Sequence, residues 1–183
     1  MTLQLSAAEA PTTPYLSPAQ LAAWRAFLKA HAVITRTLER ELVASHRLPL
    51  AEYDVLVQLQ AAEGGALRMA QLADQVLLSR SGLTRLVERL ERSGLVFRQA
   101  CPSDARGYFA VITDLGRARL VEAAPAHLNS VSAHFAKPLQ EGQLEALRVA
   151  LEQLVSAVPI ECGSALPDPD LEETSAASGD LVS

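Results

Sequence analysis

Apolar residues recur at helical spacing over the first third of the chain. Steps of three, four and seven between them predict a long first helix over 18–46, with Ser17 as its N-cap. Pro49 separates this helix from a second one, which ends near the glycine pair at 64–65. The first helix is too long for one small domain to cover alone, so its apolar seam predicts a partner chain.

Shorter elements are predicted in the middle of the chain. Residues 67–69 are compatible with a short strand, and a short helix follows up to Val76. After a turn at 77–78, Ser79 is placed to cap a fourth helix over about 80–93.

The pattern then changes to a hairpin and returns to helix. Strands over 95–101 and 108–113, joined by a long polar turn at 102–107, predict a β-hairpin. A fifth helix over 114–136, bent at its internal proline, and a final amphipathic helix to about 157 complete the chain. The predicted fold class is therefore mainly α with a small β-hairpin.

The order helix, short helix, turn, capped helix and hairpin is typical of a winged helix-turn-helix. The fourth helix has an apolar stripe and, opposite it, a face of small hydroxyls and arginines. Such a helix lies in the major groove of DNA, and a hairpin tip beside it can reach the adjacent minor groove. The stripe consists of Leu83, Leu86, Val87 and Leu90, and the opposite face of Ser81, Thr84, Arg85, Glu88 and Arg92.

The distribution of charge supports this interpretation although the total does not. The formal net charge is −5, but residues 159–183 hold six acids and no Lys or Arg. Residues 18–158 carry a net +2, and residues 80–106 hold six arginines against three acids. A local basic stripe is the electrostatic footprint of a nucleic-acid surface, although a solvated helix face produces the same pattern.

Two stretches resemble the MarR family of transcriptional regulators. Residues 79–96 have the sequence SRSGLTRLVERLERSGLV and look like the recognition helix of that family. Residues 104–107, followed by 111–116, look like its wing and the exit into the next helix. The resemblance covers about 18–157 and implies a winged helix-turn-helix flanked by dimerisation helices.

This resemblance implies a domain organisation in which both termini lie outside the folded part. The expected segments are a flexible lead over 1–17, dimerisation helices over about 18–47 and 114–157, a DNA-binding part over about 50–113, and a disordered acidic tail over 158–183.

The resemblance also implies roles for individual residues. Arg106 would enter the minor groove, and Asp104 would orient the hairpin tip through a salt bridge. Ala105 stands between them where many members have another basic residue. Arg68 and Gln71 would contact phosphate. The other predicted DNA contacts are Ser79, Arg80, Ser81, Thr84, Arg85, Arg89 and Gly107.

The resemblance further implies a homodimer on a pseudo-palindromic operator and release by a small aromatic or phenolic ligand. Trp24, Phe27, His31 and Tyr53 are the candidate ligand-binding residues, although the first three are also spaced as core residues. The alternative function is a winged-helix module for protein contact or dimerisation that does not bind specific DNA.

Other functions find little support in the sequence. It contains no phosphate-binding glycine loop, nucleophile elbow or cysteine pair, so we expect no enzyme, cofactor or metal. Cys101 is expected to be a buried, inert thiol. We find no signal peptide and no membrane-spanning stretch, which predicts a cytoplasmic protein.

Overall fold

The computed structural model describes residues 15–76, 78–101 and 104–158, with the backbone alone at 104–106. Within these residues the elements follow the predicted order and are mainly helical, which confirms the fold class. The predicted turn at 77–78, the tip at 102–103, the lead and the acidic tail fall partly or wholly outside the described residues. The elements are α1 (Pro18–His46), α2 (Leu50–Ala61), a 3-10 turn (Glu63–Gly65), β1 (Ala66–Arg68), α3 (Met69–Val76), α4 (Arg80–Arg92), β2 (Val96–Cys101), β3 (Asp104–Ile112), α5 (Asp114–Val131), a π-helical turn (Ser132–Ala136) and α6 (Glu141–Ala157).

Side-chain caps determine where three helices begin, and those at Ser17 and Ser79 were predicted. Ser17 Oγ accepts the N–H of Gln20 at 3.2 Å, and Gln20 Oε1 accepts the N–H of Ser17 at 2.8 Å. Ser79 Oγ and Thr113 Oγ1 accept the backbone N–H three residues ahead, at 3.1 and 3.0 Å. These bonds satisfy helix N–H groups that have no partner within the helix.

The strands form one antiparallel sheet in the order β1-β3-β2. The short strand β1 pairs with the hairpin, so that Ala66 lies opposite Val111 and Arg68 opposite Phe109. The sheet thereby joins the segment before α3 to the hairpin that follows α4.

The hairpin differs from the sequence prediction at its tip. The return strand begins at Asp104, four residues before the predicted 108, so the predicted turn at 102–107 is too long. Ala100 pairs with Tyr108 but Cys101 pairs with Asp104, a register shift between neighbouring residues. This irregular pairing allows the polar segment 104–107, which contains a glycine, to continue as a strand. Its residue composition is typical of a turn, so the sequence does not reveal the strand.

The chain divides into two compact units, one up to Arg36 and one from Thr37 onward. The core of the second unit combines side chains from α2, α3, α4 and the sheet, and Val55, Leu56, Leu59, Leu72 and Val87 have no exposed surface. In the first unit, the N-terminal part of α1 exposes large apolar side chains, with Trp24 at 51%. Helix α6 has no buried residue.

The beginning of α5 packs directly on the segment that leaves α4. Thr113 donates its N–H to Leu95 O at 3.1 Å and its hydroxyl to Gly94 O at 2.7 Å. Gly116 is buried against the carbonyl of Leu95. A Cβ built on Gly116 would overlap Leu95 O and press on the side chain of Ile112. A glycine is therefore required at this position.

Candidate nucleic-acid interface

Helix α4 separates a buried stripe from a polar face, as its sequence predicts. The polar face begins with Arg80 in the first turn and continues with Arg85 in the second, and both side chains are exposed. Thr84 Oγ1 donates to Arg80 O at 2.9 Å, and Ser81 Oγ lies 3.3 Å from Ser79 Oγ. The buried stripe, at most 2% exposed, is Leu83, Leu86, Val87 and Leu90.

Arg68, a predicted phosphate contact, is held against the sheet by its neighbours. Its N–H donates to Gln71 Oε1 at 3.3 Å, which brings the two predicted phosphate contacts together. Its Nη2 donates to Cys101 Sγ at 3.3 Å, and its Cζ lies 5.5 Å from the centre of the Phe109 ring. These contacts restrict the side chain before any ligand arrives. Cys101 is 5% exposed, which agrees with the buried thiol expected from the sequence.

A cleft of about 550 Å³ lies between α4, the beginning of α3 and the hairpin. We call it the α4–hairpin cleft. It brings together four of the predicted DNA contacts, Arg68, Arg80, Thr84 and Gly107, with residues from β2 and β3. The other residues that line it are Met69, Ala70, Leu83, Arg98 and Tyr108.

Sequence reasoning missed two of these residues, Arg98 and Tyr108, as members of the interface. Arg98 contributes to the basic stripe, but helical phase gives no information about a residue on a strand. Tyr108 lies on β3 and is 49% exposed. Alternation along the return strand could have assigned Tyr108 and Ala110 to the same face of the sheet, but it could not have placed Tyr108 near α4.

A carboxylate near the end of α4 fixes the first strand of the hairpin. Glu91 Oε1 accepts the N–H of Arg98 at 2.8 Å, and Glu91 Oε2 lies 2.8 Å from Arg98 Nε. Glu88 Oε1 is 3.9 Å from Arg98 Nη1. This pair of contacts, which we call the Glu91–Arg98 brace, joins β2 to α4. Glu88, on the exposed face of α4, lies near the same arginine.

Three of the remaining predicted DNA contacts are Arg89 on α4 and Asp104 and Arg106 on β3. Arg89 Nε lies 3.2 Å from Glu52 Oε1 on α2, so this arginine is already in an ion pair. The side chains of Asp104 and Arg106 lie outside what the structure describes, and their roles at the wing stay predictions.

The candidate ligand-binding residues fall into two groups. In the first unit, Trp24, Phe27 and His31 form a ladder along one face of α1, with ring centres 6.0 and 6.4 Å apart. In the second unit, Tyr53 is buried and its ring centre lies 4.4 Å from that of His127 on α5. Ligand binding by these residues stays a prediction.

A second cavity, of about 340 Å³, lies between the C-terminal part of α1 and α5. Its wall includes Leu38, Leu42, Glu41 and Ser130. Glu41 accepts hydrogen bonds from the Ser130 hydroxyl and, at 2.9 Å, from His134 Nε2. The bond from Ser130, followed by the one from His134, holds the pKa of Glu41 below its ordinary value. The cavity therefore carries a carboxylate beside apolar walls.

His127 makes a testable contribution to stability. Its Nδ1 is buried without a hydrogen-bond partner among the described residues, and burial lowers the pKa of the imidazole. As pH falls below 6.5, the unfolded chain takes up a proton that the folded chain refuses, so the free energy of unfolding decreases. This contribution is fully present above pH 6.5 and is lost on acidification toward the folded-state pKa.

Denaturant titrations at pH 5.5 and 7.5 will show this loss in the parent and a smaller one in His127→Phe. The difference stays below about 1.4 kcal/mol per pH unit, the limit for one proton. Equal losses in the two proteins would contradict this assignment. The Glu41 contribution is lost only below pH 4.5 and does not interfere.

Two other kinds of site are absent from residues 15–76, 78–101 and 104–158. No helix in these ranges is both long and apolar enough to cross a membrane. They also contain no group of three or more His, Cys, Asp or Glu side chains that could hold a metal ion.

Known proteins are similar to this chain in sequence and in overall structure. The family model described as "MarR family" matches residues 46–107. The regulator MhqR of Bacillus subtilis is 34% identical over 85 residues, which is 46% of this chain and 57% of MhqR. Sco3205 of Streptomyces coelicolor, a MarR family regulator solved in complex with DNA, has a TM-score of 0.77 and 30% identity, covering 83% of this chain and 95% of its own. AbsC of the same organism has a TM-score of 0.72 and 35% identity, covering 79% and 97%.

The fold and the basic cleft beside an exposed helix define a winged-helix DNA-binding protein. Similarity to two solved regulators, at 30% and 35% identity over 83% and 79% of this chain, narrows the class of protein further. The chain belongs to the MarR family and is a transcriptional regulator, not an enzyme.

Proposed function

We propose that this regulator is a sequence-specific repressor that binds a pseudo-palindromic operator as a homodimer and is released by a small aromatic or phenolic ligand. The α4–hairpin cleft is the observation that carries the proposal. It places three arginines and two hydroxyl side chains beside the exposed face of α4, and none of its lining residues is acidic. Such a surface suits the phosphate backbone and the base edges of duplex DNA.

The proposed binding mode follows from the placement of α4. Ser81 and Arg85 lie in or near its first turn, the part that approaches base edges when a recognition helix enters the major groove. The hairpin beside it would reach the adjacent minor groove. Sco3205, to which this chain is similar over 95% of the length of Sco3205, was solved in complex with DNA, and this supports DNA binding by the fold.

Unpartnered apolar surface supports the homodimer. On α6, Leu154 and Val155 are 60% and 61% exposed, and in the first unit Trp24 and Phe27 are 51% and 45% exposed. Apolar side chains of this size are stabilised by burial against a partner, and a second copy would offer the same surfaces. A two-fold dimer would match half-sites about one helical turn apart.

The second cavity narrows the class of effector. Leu38 and Leu42 suit an aromatic ring, and Ser130 with Glu41 provides polar contacts. Because the pKa of Glu41 is lowered, its carboxylate is ionised at neutral pH and repels anions. We therefore propose a neutral phenol or small aromatic compound as the effector, not a carboxylate anion.

A mobility-shift titration on the DNA that flanks its own gene tests this proposal. We expect a specific complex of two chains per duplex that survives nonspecific competitor. If the dimer neutralises about six phosphates, affinity falls by about 10³-fold between about 50 and 200 mM salt. Neutral phenols added to the same complex should release the DNA.

Other outcomes would point elsewhere. A complex with one chain per duplex would contradict the homodimer, and release by benzoates alone would contradict the neutral effector. No binding to any sequence of a random duplex library, together with self-association insensitive to salt, would favour a protein-interaction module.

A further inference from the structure

The α4–hairpin cleft lies where one strand of a bound DNA duplex would have to pass. The major and minor grooves are separated by a single sugar–phosphate strand. If α4 lies in one groove and the hairpin in the next, that strand must pass between them. The cleft occupies this space, because α4 forms one wall and the hairpin residues Arg98, Gly107 and Tyr108 form the other.

The chemistry of the cleft matches a phosphodiester. Arg68, Arg80 and Arg98 line it together with the hydroxyls of Thr84 and Tyr108. Cationic groups with hydroxyl donors bind anionic oxygens through charge-assisted hydrogen bonds. A base edge, by contrast, also requires acceptors, and the described lining side chains offer few of them.

The contacts within the cleft distinguish which groups are oriented for a ligand. Arg68 is fixed between Cys101 Sγ and the Phe109 ring, and the Glu91 carboxylate holds Arg98. The Thr84 hydroxyl already donates its hydrogen to a backbone carbonyl. Tyr108 is half exposed, and none of the described residues forms a hydrogen bond with its hydroxyl, which is therefore available to a ligand.

We propose that the Tyr108 hydroxyl binds a phosphodiester of the strand that separates the major from the minor groove. This site rests on the proposed DNA binding and adds a residue outside the recognition helix. It carries affinity and register but no base identity, because every nucleotide presents the same phosphate. Tyr108 is thus a backbone contact that sets how deeply the duplex enters the cleft.

The test combines one hydroxyl deletion with neutralisation of single phosphates. Operator duplexes carrying one methylphosphonate at each successive position are titrated with the parent and with Tyr108→Phe. We expect Tyr108→Phe to weaken binding to the unmodified operator by about tenfold, since hydrogen bonds to charged groups are of that strength. Random duplex should be weakened by the same factor, which leaves the specificity ratio unchanged.

Coupling between the two changes is the decisive readout. At one position per half-site, methylphosphonate should weaken the parent about tenfold but weaken Tyr108→Phe by less than twofold, because the bond is already lost. Tyr15→Phe is the matched control, since Tyr15 is 89% exposed and does not line the cleft. A circular-dichroism melt of Tyr108→Phe that coincides with the parent's excludes misfolding as the cause.

The possible failures are distinguishable. If the parent binds no duplex, both the proposed function and this site are wrong. If the parent binds but no methylphosphonate position couples to Tyr108→Phe, this site alone is wrong. Displacement of DNA by inorganic phosphate beyond that by chloride of equal ionic strength, without such coupling, would assign the cleft to a free anion and overturn the proposal.

Discussion

Gly116→Ala will lower the free energy of unfolding by about 3 kcal/mol and the melting temperature by about 6–12 °C. The new methyl group would overlap the carbonyl oxygen of Leu95, which already accepts the N–H of Thr113. Backbone atoms cannot rotate aside as a flexible side chain can, so α5 must shift away from the segment after α4. Thermal and denaturant unfolding followed by circular dichroism measure the loss.

Gly142→Ala is the matched control, because the same methyl group is added in the first turn of a helix. No heavy atom lies within 4 Å of a Cβ at Gly142, so there is nothing to displace. Alanine there should be neutral or stabilise the protein by roughly 0.4–1 kcal/mol, through the reduced entropy of the unfolded chain. Equal unfolding curves for the two variants would show that the contact with Leu95 relaxes freely.

Arg68→Ala will have the largest effect on DNA affinity among single arginine substitutions in the α4–hairpin cleft. We expect a loss of about 10- to 100-fold, because a charge-assisted contact to phosphate disappears from a side chain that the sheet holds in place. The slope of log affinity against log salt should fall by about 1. Fluorescence anisotropy at several salt concentrations measures both quantities.

Two further variants separate the contact from the charge. Arg148→Ala removes the same charge from α6, where the arginine pairs with Glu145 and Glu152, and should change affinity little. Arg68→Lys keeps the charge but not the planar fork that reaches Cys101 and covers Phe109, so it should recover the salt slope and part of the affinity. If the two alanine variants lose affinity equally, the loss reflects net charge and Arg68 has no special position.

The elements with local determinants were predictable from the sequence. The stripe of Leu83 and Leu90 fixed the buried face of α4, and Ser79 fixed its beginning, because helix phase and capping depend on residues a few positions apart. Thr113 determined the beginning of α5 in the same way. For these reasons the predicted order of elements, and with it the fold class, agrees with the structure.

Pairings between distant residues were not predictable. The ion pair of Arg89 with Glu52 joins residues 37 positions apart, and the sequence places that arginine only on an exposed basic stripe. The addition of β1 to the hairpin and the contact of Arg68 with Cys101 likewise depend on how the sheet is assembled. Tyr108 could be assigned to a strand, but its nearness to α4 is a tertiary property.

The Glu91–Arg98 brace has a consequence for how DNA sequence is read. Because Glu91 holds both the backbone and the guanidinium of Arg98, the helix and the first strand of the hairpin keep a set separation. Two DNA-binding elements at a constant separation fit best to a duplex whose neighbouring grooves are the same distance apart. If α4 and the hairpin bind DNA as proposed, base-pair steps that widen or narrow the minor groove would alter the affinity even where no side chain contacts a base. The operator would then be recognised by its shape and stiffness as well as by its base sequence.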